Sequence, residues 1–243
     1  MALHFHDEGA GSVAPGGLVV LTGTEAHHAS AVRRVRQGEP VTVTDGRGAW
    51  LSGTCEEVSP QRVAIRIGSR DDRAAPVPRL VLVQALAKGD RDELAVQAAT
   101  ELGIDLVVPW QAARSVPRWE GAKAEKGRTR WASIVREAAK QAHRAWFAEV
   151  APVETTSAVA RRAETARMLV LDPWAEEPLT AVDLDDTRDI VLVVGPEGGI
   201  APEELERFEA AGARRVRLGD TVLRTSTAGP AALAVLDAKL GRW

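Results

Sequence analysis

Hydrophobic and polar positions follow two regimes along the chain. Between residues 18 and 68, short apolar runs alternate with polar residues, most cleanly at 62–67 (Arg62, Val63, Ala64, Ile65, Arg66, Ile67), which marks half-buried strands. Residues 40–46 read as a strand entering a turn and 50–54 as its return, with a short helix over 25–35 ahead of them. After residue 80 the alternation gives way to apolar-rich runs at 80–85, 106–109, 168–172 and 191–194, interrupted only by Gln84 and closed at 172 by Asp172. Runs this short, bounded by turn residues, predict strands buried on both faces, as in parallel sheets. Helical stretches separate them. One spans about 90–102, with Asp90 as its cap, Leu94, Ala98 and Leu102 on one face and Gly103 as its stop. Others run over about 123–145, from Pro202 to Gly212, and over about 230–240, the last with a wide apolar face. Strand and helix in alternation predict an α/β fold with crossover helices. Residues 69–79 hold two Asp, three Arg and two Pro and read as the linker. The expected domains are therefore a small β-barrel over 1–72 and an α/β domain over 73–243.

The α/β part is organised around residues 190–230. The run Val191-Leu192-Val193-Val194 ends in Gly195-Pro196-Glu197-Gly198-Gly199, and a helix follows with Pro202 in its first turn and Glu203, Glu204 and Glu206 near its positive end. A short strand over 215–218 then enters a second loop, from Leu218-Gly219 to Ala228-Gly229. Strand, glycine loop, helix, strand and loop is how such folds build a ligand crevice at the carboxyl ends of their strands. The loop lacks both G-x-G-x-x-G spacing and the Lys-Ser/Thr of a P-loop, so pyrophosphate is not indicated. Taken alone, the glycine loop also fits a tight connection with no ligand.

Composition narrows the classes. At 243 residues, 45% hydrophobic and 27% charged, the chain has the make-up of a globular protein with ample core. One cysteine, Cys55, excludes an intramolecular disulfide and fits a reducing cytoplasm. The first residues are too polar for a signal peptide, and no apolar run reaches the roughly 20 residues of a membrane span. The net charge is −3, yet residues 111–146 carry nine basic residues against three acidic ones, which suits phosphate contact as well as a solvated helix face. His27 and His28 have no partner at ligand spacing, so no metal is expected. Trp110, Trp119, Trp131 and Trp146 fit either base stacking or core packing.

The pair GPEGGIAPEELE and LGDTVLRTSTAGPAAL closely resembles the carboxyl-terminal motifs of the RsmE family. These bacterial enzymes methylate N3 of a uridine in small-subunit ribosomal RNA and belong to the SPOUT class of knotted methyltransferases. Lys88-Gly89-Asp90 with 97–103 resembles the family's first helix, 137–141 its middle helix, and His28 with 32–38 its amino-terminal domain. Two positions depart from the common pattern. Ser226 stands where many members carry Glu, and His143-Arg144-Ala145-Trp146 stands where the family often reads Gly-Arg-Asn-Arg.

The resemblance implies a trefoil-knotted parallel sheet with helices on both faces, a PUA-like RNA-binding β-barrel at the amino end, and a cytoplasmic homodimer. It implies S-adenosylmethionine as methyl donor, no metal, and 16S rRNA within the assembled 30S subunit as substrate. Donor contacts would come from Val194, Gly195, Pro196, Glu197, Gly198 and Gly199 in the first loop. In the second they would come from Leu218, Gly219, Val222, Leu223 and Thr227. RNA contacts would come from Arg33, Arg34, Arg36, Lys88, Lys140 and Arg144. Methyl transfer from a sulfonium is an in-line displacement that needs no metal, but uracil N3–H must lose a proton, and each pKa unit above neutral costs about 1.4 kcal/mol. A fixed cation beside the uracil carbonyls would stabilise the anion, which singles out Arg224. Glu197 would hold the donor's amino group or act as base, and Ser226 or Thr225 would hydrogen-bond the uracil. The alternatives are a SPOUT enzyme acting on ribose 2′-OH, or a non-catalytic ribosome-assembly factor.

Overall fold

A computed structural model describes residues 2–243, and the chain divides into two compact units. The first comprises Met1–Ala75 together with Ala139–Phe147. It holds β1 (Leu3–His6), β2 (Leu18–Thr22), α1 (Gly23–His27), β3 (Pro40–Thr44), β4 (Ala49–Val58) and β5 (Arg62–Asp72), with α1 running on as a π-turn to Val32. The sheet order is β1-β3-β4-β5-β2; β1 pairs with β3 in parallel and every other pair is antiparallel. Strand alternation sends Phe5, Val19, Leu21, Val41, Val43, Leu51, Ile65 and Ile67 into one core. Strand β1 falls in the stretch read only as a polar amino end: its histidines flank Phe5, which is 0% exposed. The expected linker also begins too early, because Ser69 to Asp72 continue β5 opposite Ser52 to Ala49.

Residues 139–147 join this unit through hydrogen bonds to their backbone. Thr44 Oγ1 donates to the Ala145 carbonyl at 3.2 Å, and Phe147 N–H donates to the Gly46 carbonyl at 2.9 Å. Gly46 has φ +73, and a Cβ there would meet the Phe147 ring at 3.0 Å, so glycine is required twice over. His4 stacks between Trp50 and His143, and the Arg73 guanidinium lies over the Trp50 ring.

The second unit comprises Pro76–Ala138 and Ala148–Trp243. Its elements are β6 (Leu80–Ala85), α2 (Arg91–Glu101), β7 (Leu106–Gln111), α3 (Ala122–Gln141, whose last residues belong to the first unit), β8 (Glu149–Val150), β9 (Glu154–Thr155), α4 (Thr156–Arg161), β10 (Arg167–Leu171), β11 (Ile190–Val194), α5 (Pro202–Ala210), β12 (Arg214–Val216) and α6 (Thr225–Lys239). The sheet runs β12-β10-β11-β6-β7-β8, parallel throughout, with β9 also pairing β7. Every residue of β6 and β11 is buried, as strands covered on both faces require, including the polar Gln84 of β6. Leu80, Leu82, Leu192 and Val194 pack on one face with Val96, Trp131, Leu233 and Leu236; Val81, Val83, Val191 and Val193 pack on the other with Val159 and Phe208. Helices thus cover both faces.

Two helical expectations are corrected. The packed face of α2 is Ala95, Val96, Ala99 and Thr100, while Leu94 is half exposed and the Asp90 side chain makes no cap bond. Small side chains let this helix lie close on its neighbours, and proximity outweighs the hydrophobicity of Leu94. Helix α6 begins at Thr225, five residues before the expected start, with Pro230 inside it. The Thr227 and Ala228 N–H groups both reach the Arg224 carbonyl, which starts the helix ahead of the proline.

Candidate functional site

Strand β11 follows β10 in sequence yet lies between β10 and β6, so its carboxyl end opens at the centre of the sheet. A cavity of about 430 Å³ sits there. Its walls are Leu171 and Pro173 at the end of β10, Val194 to Glu197 with Gly199 and Ile200 at the end of β11 and beyond it, Val222 to Thr225 with Ala228 around the start of α6, and Arg91 at the start of α2. This is the crevice position that parallel α/β sheets use for ligands.

The glycine loop is held tightly. A Cβ on Gly195 would meet Ile200 Cγ1 at 2.6 Å, and Gly199, at φ +73, closes a turn onto the Pro196 carbonyl at 2.9 Å. Thr225 Oγ1 donates to the Gly195 carbonyl at 2.8 Å and accepts from Gln84 Nε2 at 2.9 Å. Arg114 donates to the Gly198 carbonyl at 2.9 Å. Buried Glu204 accepts the N–H of Ala113 at 2.9 Å and of Ala201 at 3.2 Å, so the segment carrying Arg114 and the start of α5 share one carboxylate.

Glu197 accepts the Lys88 N–H at 2.9 Å and the Arg91 guanidinium at 3.0 Å. Partial burial works to raise its carboxyl, but backbone N–H donors and Arg91 outweigh it and hold the group below the usual carboxylate range. An ionised, twice-bonded carboxylate is poorly suited to take a proton. Arg224 is exposed on the cavity wall, and among the described residues its guanidinium pairs with no carboxylate.

Of the expected donor contacts, Val194, Gly195, Pro196, Glu197, Gly199, Val222 and Leu223 line the cavity together with Arg224. Gly198, Leu218, Gly219 and Thr227 lie outside its wall, as does half-buried Ser226 in the first turn of α6. Arg91, Gln84 and Arg114 were not foreseen. They carry no motif, and only the three-dimensional meeting of β6, α2 and the loop after β7 gives them a role.

The expected RNA contacts separate. Arg34 and Arg36 are exposed in the first unit, with Arg33 and Arg144 half-buried there, and Lys88 is exposed in the second. Lys140 is corrected: it is 6% exposed and its ammonium lies 3.0 Å from Glu25. A buried lysine needs a partner, and this one is used inside the fold. Trp110 and Trp131 belong to the core on opposite faces of the sheet. Trp119 packs edge-on against Trp131. Among the described residues no group of three His, Cys, Asp or Glu stands together for a metal, and no helix is long and apolar enough to cross a membrane.

Residues 73–237 match the family model of the RNA methyltransferase domain. The ribosomal RNA small subunit methyltransferase E of Mycobacterium bovis is 41% identical over 233 residues, covering 94% of this chain and 89% of the relative. Its namesake in Bacillus subtilis is 30% identical, covering 89% and 88%. Among solved structures, a methyltransferase from Legionella pneumophila in complex with S-adenosylmethionine superposes with a TM-score of 0.88 at 29% identity, covering 98% of both chains. A Neisseria gonorrhoeae ribosomal RNA small subunit methyltransferase E bound to S-adenosylmethionine does so at 0.88 and 26%, again over 98% of both.

Proposed function

The chain belongs to the ribosomal RNA small subunit methyltransferase E family, and on that premise we propose that it methylates N3 of a specific uridine in 16S rRNA within the assembled 30S subunit. It is an S-adenosylmethionine-dependent rRNA methyltransferase. The observation that carries the finer reading is the cavity at the end of β11, walled by a glycine loop with no room for a Cβ at Gly195 and by Arg224.

The cavity suits the donor: backbone groups of Gly195 and Gly199 and the apolar side chains of Val194, Ile200 and Leu223 surround a volume fit for a nucleoside. S-Adenosylmethionine supplies a methyl group on a sulfonium. The protein orients the two reactants and lowers the cost of ionising N3. Arg224, fixed at the start of α6, meets the uracil carbonyls and stabilises the charge that develops on them. Glu197, held ionised by Lys88 and Arg91, keeps the loop closed and offers negative charge to the donor's amino group. Thr225 spends its hydroxyl on Gly195 and Gln84, so it positions the loop rather than the base.

The same reading carries the finer fold. The terminal helix α6 passes through a loop to make a trefoil knot, a reading supported by the bond from Thr225 in its first turn back to Gly195 after β11. The first unit is a PUA-like RNA-binding barrel, supported by its five-stranded sheet and by exposed Arg34 and Arg36. The protein acts in the cytoplasm as a homodimer. The test is transfer of labelled methyl to small ribosomal subunits from a strain lacking the activity, followed by nucleoside mass spectrometry. 3-Methyluridine is expected. A 2′-O-methylated nucleoside would overturn the N3 assignment, and no transfer by folded protein would favour a binding factor.

A further inference from the structure

The loop that leaves β10 carries a side chain with no place in the site so far. Pro173 lines the cavity, and the next residue, Trp174, is 81% exposed, more than any other large apolar residue among those described. An indole in this setting leaves most of its apolar face in water, which the fold does not repay.

The loop is nevertheless fixed. Asp172, buried at the end of β10, accepts the Trp174 N–H at 3.1 Å, and its carbonyl accepts the Ala175 N–H at 3.1 Å. Its other carboxylate oxygen takes Arg215 Nε at 2.9 Å. Further along, Leu179 N–H donates to the Arg217 carbonyl and Arg217 N–H to the Glu177 carbonyl, each at 2.9 Å. Residues 172–179 are thereby fastened to 215–217, the stem of the segment that brings Val222 and Arg224 to the same cavity. Exposed Trp174 is thus one residue beyond the cavity wall at Pro173, and that wall also holds Val222, at 69% exposure, and the unpaired Arg224.

We propose that Trp174 is a positioning residue for the RNA: a nucleobase of the substrate, drawn out of its own stack, lies on the indole at the mouth of the cavity. This rests on the methyltransferase reading above. A ring nitrogen inside stacked or paired RNA is out of reach, so the base must leave the stack and be held by something planar. A fixed loop presents that plane with its ordering cost already met. The charge of Arg224 on the cavity wall that Pro173 also lines suits a planar ligand with polar edges and a phosphate backbone better than the broad apolar patch that a second copy would bury.

Trp174→Ala and Trp174→Phe in the full-length protein test this through three measurements. These are the Kd for S-adenosylmethionine, kcat and KM with unmethylated small ribosomal subunits, and molar mass in solution. Trp174→Ala is expected to lower kcat/KM for subunits by about ten- to a hundredfold, the scale of one lost base–aromatic stack. Donor Kd and molar mass should stay at wild-type values, and Trp174→Phe should recover most of the loss. Wild-type kcat/KM in the alanine variant would overturn the proposal. So would a weakened donor Kd alone, which would make the indole a cofactor cover, or a changed molar mass, which would make it a subunit contact. If the wild type itself transferred no methyl, the methyltransferase reading would fall, and the Trp174 assignment with it.

Discussion

Gln84 and Thr225, 141 positions apart in sequence, share a 2.9 Å hydrogen bond beneath the glycine loop. Both are buried, and the Thr225 hydroxyl passes the link on to the Gly195 carbonyl at 2.8 Å. One hydroxyl therefore ties the end of β6, the loop after β11 and the first turn of α6. In a dry setting each of these groups costs free energy if left alone, so the three segments hold one another in register.

Thr225→Val keeps the shape and removes that hydroxyl, leaving the Gly195 carbonyl and the Gln84 amide short of partners. The expected loss is about 1–3 kcal/mol, shared between stability and cofactor affinity. Titration calorimetry should show donor affinity weakened roughly tenfold, since about 1.4 kcal/mol is a factor of ten. Thr225→Ser should bind nearly as the wild type does. Equal donor affinity in the valine variant would mean the loop holds its shape without the hydroxyl.

Arg224 is exposed and unpaired, so its removal leaves the fold intact. Arg224→Ala should retain donor binding and lose about 10²–10³ in kcat, the scale of one electrostatic contact to a developing charge. Glu197→Gln makes the contrast. Its carboxyl is already ionised well below neutral pH, so the variant should weaken donor binding while leaving the shape of the rate–pH profile between about pH 6 and 8 unchanged. A profile that loses a limb in Glu197→Gln would restore the base role to that residue.

The parts legible in the sequence are those set by local pattern. The run that became β11 is apolar at every position and that of β6 at all but Gln84, and Pro202 and Gly212 bracket α5 as their chemistry dictates. What escaped is set by partners far away. Strand β1 shows only one large apolar side chain between two histidines, and it is a strand because β3 pairs with it. Helix α6 opens with Thr-Ser-Thr-Ala-Gly, weak helix formers apart from Ala228 and followed by proline, and it is helical because Thr225 is anchored to Gly195. The glycines of the site announce themselves, whereas Arg91 and Gln84 look like any surface arginine and any strand residue until the loops meet.

Lys140 gives a case where the sequence pattern and the structure predict different phenotypes. As an RNA contact, its loss would raise KM for the subunit and leave stability alone. As the buried partner of Glu25, its loss strands a carboxylate that is only 19% exposed. Lys140→Ala should therefore destabilise the protein by about 2–4 kcal/mol in urea unfolding. Glu25→Gln combined with Lys140→Met should cost less than the two single changes added together. A stable Lys140→Ala variant with a raised subunit KM would return the residue to the RNA-binding face.

His4 makes the first unit sensitive to acid. It is 5% exposed, stacked between Trp50 and His143, and burial first, then His143, Arg73 and His6, lower its pKa from 6.5 to about 3. The folded protein therefore refuses a proton that the unfolded chain accepts. Between about pH 6.5 and 3 the unfolded state binds more protons, so stability rises with pH across that window and is flat above it. Descending from pH 7.5 to 5.5 should cost about 1.4 kcal/mol from this residue alone, one unit below the unfolded value. His4→Phe keeps an aromatic ring for Trp50, gives up the 2.8 Å contact with Thr42 Oγ1, and cannot titrate. Urea midpoints at the two pH values should converge in the variant and stay apart in the wild type. If both proteins lose the same stability on acidification, the sensitivity lies elsewhere, with His143 and its lowered pKa the first candidate.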